Sequence, residues 1–444
     1  MNGLSTLRLL GTAVFTMFVG LSVAACEGET TTTPTGGSGG SGGGGNAASN
    51  GEQYAQAICD RVFDCCNTAE LAERFNGNSV VDYAGCRILY RTIWEAAIEP
   101  VVKDGESAGR VSFNQANFDK CMATVGDLSC ADFSLGPVDC EDVFTPKVAV
   151  GGACYSDLEC IDEECDIPNG ASMGTCIAKP TPVGMGGACT ENDGCESGLY
   201  CNGMTCEALK ADGQDCFNDD ECQAGTCVGD AQGMGKCGKV CEGGGPGSGP
   251  VDTVLESIGG PFIIAQCDKA FDCCIGDELD AVLFPGMRTK AGCLSLYGAF
   301  LGLALVEMHN SVVEKKVEID GAAFQKCIDD YEAQTCQDFS KGTGIECTDA
   351  IKGLLADGTS CTDDAQCTSK YCNESMPNQG TCATLPGAGA PCSDDCADGF
   401  YCEGGMCAAQ KAAGSACSST SECSEGRCHG QSGMKTCQLI CDGI

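Results

Sequence analysis

Histidine and tryptophan are nearly missing from this 444-residue chain, which has two histidines, His309 and His429, and one tryptophan. A Ser-His-Asp or Cys-His catalytic set needs a histidine held beside its nucleophile, and no such set is visible. Zinc is left without helper histidines, and no C-x2-C knuckle occurs anywhere. Basic residues are also scarce, with 25 Lys and Arg against 63 Asp and Glu, a formal charge of −38. Such a polyanion is repelled by nucleic acid and by anionic lipid headgroups, so neither is an expected partner. The expected use of the charge is a solvated acidic surface, with weak divalent-cation binding as the second reading. No phosphate-binding glycine loop and no basic–aromatic stripe is present. Catalytic, cofactor and metal residues are therefore expected to be none.

What the chain has in plenty is cysteine, 41 residues, within the roughly 8–10% range that marks a disulfide scaffold. Cytosolic thiols are kept reduced, so this density implies an oxidising compartment.

Residues 1–25 read as a targeting segment: Arg8, an apolar stretch from Leu9 to Leu21, then Val23-Ala24-Ala25-Cys26. Val-Ala-Ala-Cys resembles the bacterial lipobox, which implies cleavage before Cys26 and lipid attachment there. The apolar run is too short for a confident span of about 20 residues. Glu27 follows, and the lipoprotein sorting rule then leans to the outer membrane. Residues 26–51, rich in Thr, Gly and Ser, read as a flexible tether with a reach of roughly 25–30 Å.

The remainder repeats. Cys59-x5-Cys65-Cys66 returns as Cys267-x5-Cys273-Cys274, and Cys86 matches Cys293. Cys121, Cys130 and Cys140 match Cys327, Cys336 and Cys347, with Asp-Phe-Ser following Cys130 and Cys336 closely in both. Each copy then carries three four-cysteine modules. In the first copy they are Cys154, Cys160, Cys165, Cys176; Cys189, Cys195, Cys201, Cys206; and Cys216, Cys222, Cys227, Cys237. In the second they are Cys361, Cys367, Cys372, Cys382; Cys392, Cys396, Cys402, Cys407; and Cys417, Cys423, Cys428, Cys437. Cys241 and Cys441 close the copies, giving 20 structural disulfide cysteines in each and leaving Cys26 as the odd one. The expected domains are a helical, cysteine-containing domain at 52–150, modules at 151–241, a Gly/Pro linker at 242–252, a second helical domain at 253–357 and modules at 358–444. The fold class expected is small disulfide-rich modules with little regular structure, joined to disulfide-linked, mainly α-helical domains in two tandem copies.

Apolar residues at Ala55, Ile58, Cys59, Val62 and Cys66 follow a helical period, and the adjacent cysteines then point about 100° apart. Cys65 and Cys66 are expected to bridge different neighbours, with a vicinal bond as the alternative. A second helix is expected through Ile88, Trp94 and Ile98, stopping at Pro100. Its match, Leu294 to Met308, is apolar nearly all round and reads as a buried helix. Each copy has seven cysteines in its helical part and thirteen in its modules. Full pairing thus requires a bridge between the two parts, with Cys241 and Cys441 as candidates. All six modules open G-x-x-C, at Gly151, Gly186, Gly213, Gly358, Gly389 and Gly414, where glycine suits a sharp turn before a bridge. Modules of about 30 residues cannot bury an adequate core, so cross-links must order them. Connectivity stays open.

Gly-x-x-Cys-x5-Cys-x-x-Gly-x-x-Cys resembles the N-terminal cysteine-rich domain of the Dickkopf family, most closely at Cys195–Cys201 and Cys396–Cys402. The tandem arrangement is similar to that of exported myxobacterial-type lipoproteins. The resemblance implies a scaffold only, because the animal family's receptor antagonism has no counterpart in a bacterial envelope.

His309 is expected to be structural. His429, after Cys428, faintly suggests a c-type haem site, but Val228 replaces it in the first copy. The acids Asp219-Asp220-Glu221, Asp363-Asp364 and Asp394-Asp395 are expected on exposed turns rather than in a calcium loop. The function expected is a lipid-anchored cell-envelope protein, with modules as a rigid stalk and surface for an extracellular or envelope protein or glycan, and no catalysis. A protease inhibitor or a lipid-binding helical scaffold is the alternative.

Overall fold

The computed structural model describes residues 48–442, apart from residues 76–79, 81, 134–139, 141, 162–163, 169–172, 179–180, 190–193, 224–225, 230–234, 284–288, 342–346, 377–378, 393–394 and 431–433. Cys26, the signal segment and most of the tether lie outside them, as does Asp394.

The first helical part begins with α1 (Asn50–Cys65), capped by Ser49, whose side chain accepts from the Glu52 amide. After α2 (Thr68–Arg74) comes α3 (Tyr83–Ile93), capped by Asp82. The expected stop at Pro100 does not occur. A π turn, Trp94–Ile98, passes the chain into α4 (Glu99–Ser107), with Pro100 in that helix's first turn. The Glu99 amide reaches back to the Trp94 carbonyl. At a first-turn position proline's missing N–H costs no interior bond, so the chain continues past it. α5 (Gln115–Asp127) and the short α6 (Cys130–Phe133) complete this part.

The second helical part has α7 (Thr253–Cys273), α8 (Leu279–Val282), α9 (Lys290–Val313), α10 (Gly321–Ala333) and α11 (Cys336–Ser340). α9 is longer than its apolar run suggests. At 24 residues and a mean hydropathy of 1.6 it could cross a membrane by length and composition alone. Here one face packs against protein, with Leu305 and Val306 at 1% and 0% exposure and 39% of the apolar window buried.

The helices of both segments share one core. Val62, Phe63, Ile88 and Leu89 of the first lie in one cluster with Leu255, Ile258, Leu305 and Phe324 of the second. Small residues let the backbones approach. A Cβ on Gly259 would lie 2.4 Å from the Thr92 hydroxyl oxygen, and Gly298 of α9 faces the Ala96 methyl. Glu256, 2% exposed, reaches across to Arg87 at 3.4 Å and Arg91 at 3.6 Å. Burial pushes the Glu256 carboxyl up, opposed by the two guanidinium charges.

The presumed linker between the segments is a docked strap. The amides of Gly243, Gly245 and Gly247 donate to the carbonyls of Cys65, Asp64 and Phe63. These belong to the last turn of α1, where carbonyls have no partner within the helix. Ser248 adds a hydrogen bond to Asp60 at 2.9 Å. Glycine is required here by contact: a Cβ on Gly245 would sit 1.9 Å from the Phe63 oxygen. We therefore expect Gly245→Ala to lift the strap and cost about 2 kcal/mol. Thermal unfolding, with amide exchange at Gly243 and Gly247, would show it; unchanged protection would contradict it.

Around this body the modules are built of two- and three-stranded antiparallel pieces, such as Leu199–Cys201 with Cys206–Ala208 and Phe400–Glu403 with Met406–Ala409.

Candidate functional site: the cysteine lattice, its joints and the buried histidine

The cysteines of the two segments pair in one order. Cys59–Cys86, Cys65–Cys130, Cys66–Cys241 and Cys121–Cys140 occur in the first. Cys267–Cys293, Cys273–Cys336, Cys274–Cys441 and Cys327–Cys347 occur in the second. The adjacent cysteines serve different neighbours, and Cys241 and Cys441 supply the bridges that parity requires.

Every module joins its first cysteine to its third and its second to its fourth. In the first segment these are Cys154–Cys165, Cys160–Cys176, Cys189–Cys201, Cys195–Cys206, Cys216–Cys227 and Cys222–Cys237. In the second they are Cys361–Cys372, Cys367–Cys382, Cys392–Cys402, Cys396–Cys407, Cys417–Cys428 and Cys423–Cys437. The two bridges pack against each other, bringing Cys154, Cys160 and Cys176 sulfurs within 4.8 Å. Each of these sulfurs is already bonded in a disulfide, Cys154 to Cys165 and Cys160 to Cys176, so they offer no thiolate to a metal. Cys423 and Cys428 are likewise spent in bridges, leaving no thiol beside His429 for haem attachment. His429 instead faces Asp277 at 3.6 Å.

The opening glycines all adopt left-handed backbone, with φ from 69° at Gly389 to 86° at Gly151. Each donates its amide to the carbonyl of the module's fourth cysteine, as Gly151 does to Cys176 and Gly414 to Cys437, both at 2.8 Å. A side chain would strain this turn, and its loss would open the amide pair that closes the module.

The acids before the second cysteine are not all on exposed turns. Glu159, Glu221 and Glu422 are buried, as is Gln366 at the matching place in the second segment's first module. Each accepts an amide four residues earlier: Tyr155, Phe217, Ser418 and Thr362. A buried carboxylate needs a counter-charge. Arg110 meets Glu159 at 2.8 Å, Lys210 meets Glu221, and Lys411 meets Glu422 at 2.6 Å. Where no cation arrives the residue is the neutral Gln366, which donates to Ser311. The cations also lie over aromatic rings: Arg110 over Tyr155 at 4.6 Å, Lys210 over Tyr200 at 5.6 Å and Lys411 over Tyr401 at 5.3 Å. Arg110 comes from the helical part, so it fastens the first module to the body. Lys210 and Lys411 each fasten a third module to a second. Asp219 and Asp364 do sit on the surface, but their carboxylates accept the Cys227 and Cys372 amides at 2.7 and 2.6 Å.

These joints went unread in the sequence, although the signal is there: lysine eleven residues before a buried glutamate, twice. Burial would raise the Glu422 carboxyl, but the Lys411 ammonium and Ser418 hold it down at about 2, from an ordinary 4.5. A depressed carboxyl stabilises the fold above its ordinary value and loses that contribution as pH falls through the folded value. We expect Lys411→Met to move acid opening of this joint from near pH 2 toward pH 4–5, and Lys411→Met with Glu422→Gln to remove that acid step. The pH dependence of limited proteolysis in the Cys417–Cys437 module would report it; an unmoved acid limb would contradict it.

The modules do not project as a free stalk. Each string starts on the helical body, through Arg110 or Gln366, and returns to it through Cys241 or Cys441. At the second return, the Gly426 amide donates to the Lys341 carbonyl and Arg427 stacks 5.1 Å from the Phe339 ring. The odd number of cysteines in each part requires one bridge between string and body, and its place at Cys241 or Cys441, the string's end, makes a closed handle.

A second polar cluster joins the segments. His309 of α9, 6% exposed, places Nδ1 3.1 Å from Asp252 Oδ2 and Nε2 3.0 Å from Asp82 Oδ2. The same carboxylates cap helices, Asp82 accepting from the Gly85 amide and Asp252 from the Leu255 amide. Burial alone would lower the imidazole, yet the two carboxylates push it up to about 9. Burial would raise Asp82 and Asp252, but hydrogen bonds from His309 leave both lowered. His309 is thus a protonated clamp between two helix starts, one from each segment. Both ring nitrogens are occupied, and no nucleophile is placed beside it among the described residues that hydrogen-bond to it. No family model, no curated protein and no solved structure matches the chain.

Proposed function

We propose that the chain is an exported, lipid-anchored protein of a bacterial envelope, on the outer membrane facing outward, whose disulfide-rich ectodomain is a structural and binding scaffold without catalysis. The observation that carries the reading is the division of cysteines. All twenty bridges use cysteines from Cys59 onward, which leaves only Cys26, the residue at the lipobox-like position. Extensive disulfide bonding itself fits an extracellular setting. The common order of pairing in both segments supports a tandem duplication, and the modules resemble the Dickkopf cysteine-rich scaffold in tandem form. With its module strings tied at both ends, the ectodomain presents hairpin edges at fixed positions, which favours binding an envelope or extracellular protein or glycan. Metabolic labelling with a palmitate analogue tests the anchor. We expect label on the wild type and none on Cys26→Ala, with that variant released from membranes; an unlabelled wild type would overturn the reading. A pull-down with the ectodomain from residue 27 tests for the partner.

A further inference from the structure

None of the twenty described bridges joins two cysteines that are consecutive in the chain. Cys59 passes over Cys65 and Cys66 to reach Cys86, and Cys121 passes over Cys130 to reach Cys140. In all six modules the two bridges interleave. From this topology we infer that the chain is a substrate of a thiol–disulfide isomerase, and that an oxidase alone does not mature it. The reaction class that must precede the folded protein is disulfide exchange.

An oxidant acting on an unfolded chain joins cysteines that meet first, and shorter loops close more readily. In the outer modules the first and second cysteines lie nearer each other than the native partners, which are 11 residues apart at Cys154–Cys165, Cys216–Cys227, Cys361–Cys372 and Cys417–Cys428. Cys65 and Cys66 can each take the other's partner, and the correct choices lie 65 and 175 residues away. Four cysteines allow three pairings, so random closure confined within six modules gives the native set in roughly one molecule in 700.

Exchange repairs this without net redox change. An isomerase thiolate attacks a wrong disulfide, forming a mixed disulfide and releasing a thiolate of this chain. That thiolate attacks a second bridge and the displaced thiolate attacks in turn, until one of them expels the isomerase thiolate. Forming twenty bridges removes two electrons and two protons each, taken up by a separate disulfide oxidant. The native set is where exchange stops. Cys154, Cys160, Cys367, Cys66 and Cys241 are 0% exposed, so an attacking thiolate cannot reach the finished bridges Cys154–Cys165, Cys160–Cys176, Cys367–Cys382 and Cys66–Cys241 at these sulfurs.

The test begins with reduced, unfolded full-length chain. One portion is oxidised with diamide alone, and the other in glutathione buffer with a thioredoxin-fold isomerase; bridges are then mapped by mass spectrometry. We expect at least about tenfold more complete native pairing with the isomerase, and Cys154–Cys160-type pairs with diamide. Equal native yield in both portions overturns the inference. As a second readout, an isomerase lacking its resolving cysteine should form a covalent adduct with diamide-oxidised chain; no adduct also overturns it. Neither readout depends on lipidation, so failure of the labelling experiment on Cys26 leaves this inference standing.

Discussion

A His309→Leu chain is expected to melt about 2–3 °C below the wild type at about pH 6 and to differ little from it above about pH 10. The sign follows from the shifts. His309 is raised to about 9 from an ordinary 6.5, so its contribution is complete below 6.5 and is lost as pH rises through 9. Asp82 and Asp252 are lowered, so theirs is present above the ordinary 3.8 and is lost as pH falls through their folded values. The seam between the segments is therefore strongest between about pH 4 and 6.5. Breaking a buried pair costs about 3–5 kcal/mol, but the Asp82 side chain is 41% exposed, and that solvation reduces the cost to about 2 kcal/mol. The two carboxylates keep their amide donors, so the helix caps survive and the loss falls on the seam. Melting curves across pH would check this; a leucine variant with the wild-type's alkaline limb intact would show that His309 carries no charge-dependent load.

Replacing Cys66 and Cys241 together with serine is expected to cost about 3 kcal/mol, comparable with removing a bridge within a single module. The bridge spans 175 residues, but bridges inside that loop already shorten the free chain, so the full entropic value for such a span is not reached. Its local consequence is sharper. Without it the handle is held at this end by the strap alone, and the amides of Gly243, Gly245 and Gly247 should exchange at least about tenfold faster. Exchange at the Gly151 and Gly213 amides, inside modules, should not change. Uniform loss of protection through all three modules would contradict the idea that each module is closed by its own two bridges. Retained strap protection would show that the three glycine hydrogen bonds hold the end unaided.

How much of this was legible depends on the range of the interaction. The turn at each G-x-x-C was readable, because one residue type and one neighbouring bridge determine it. Parity was readable too: seven and thirteen cysteines cannot pair separately, whichever partners are chosen. The 1–3, 2–4 pairing was not, since spacing alone allows three choices in every module. Composition misled at the strap, where Gly243 to Pro250 has the residues of a loose linker. Gly245 is there because only a bare backbone fits against the Phe63 and Asp64 carbonyls, and Gly243, Gly244 and Gly247 because their φ is positive. The same limit hid the shared core. Nothing in Gly259 or Thr92 announces the other, and their contact spans the two segments. His309 was readable as structural, whereas its partners, 57 and 227 residues away, were not.

Each module string is a covalent handle on a shared helical body. Peptide mapping of the unreduced native chain tests it most directly. Linked peptides containing Cys66 with Cys241 and Cys274 with Cys441 are expected, with interleaved pairs in all six modules. Peptides showing Cys65 bonded to Cys66, or a module string closed on itself with Cys241 or Cys441 as a free thiol, would contradict it.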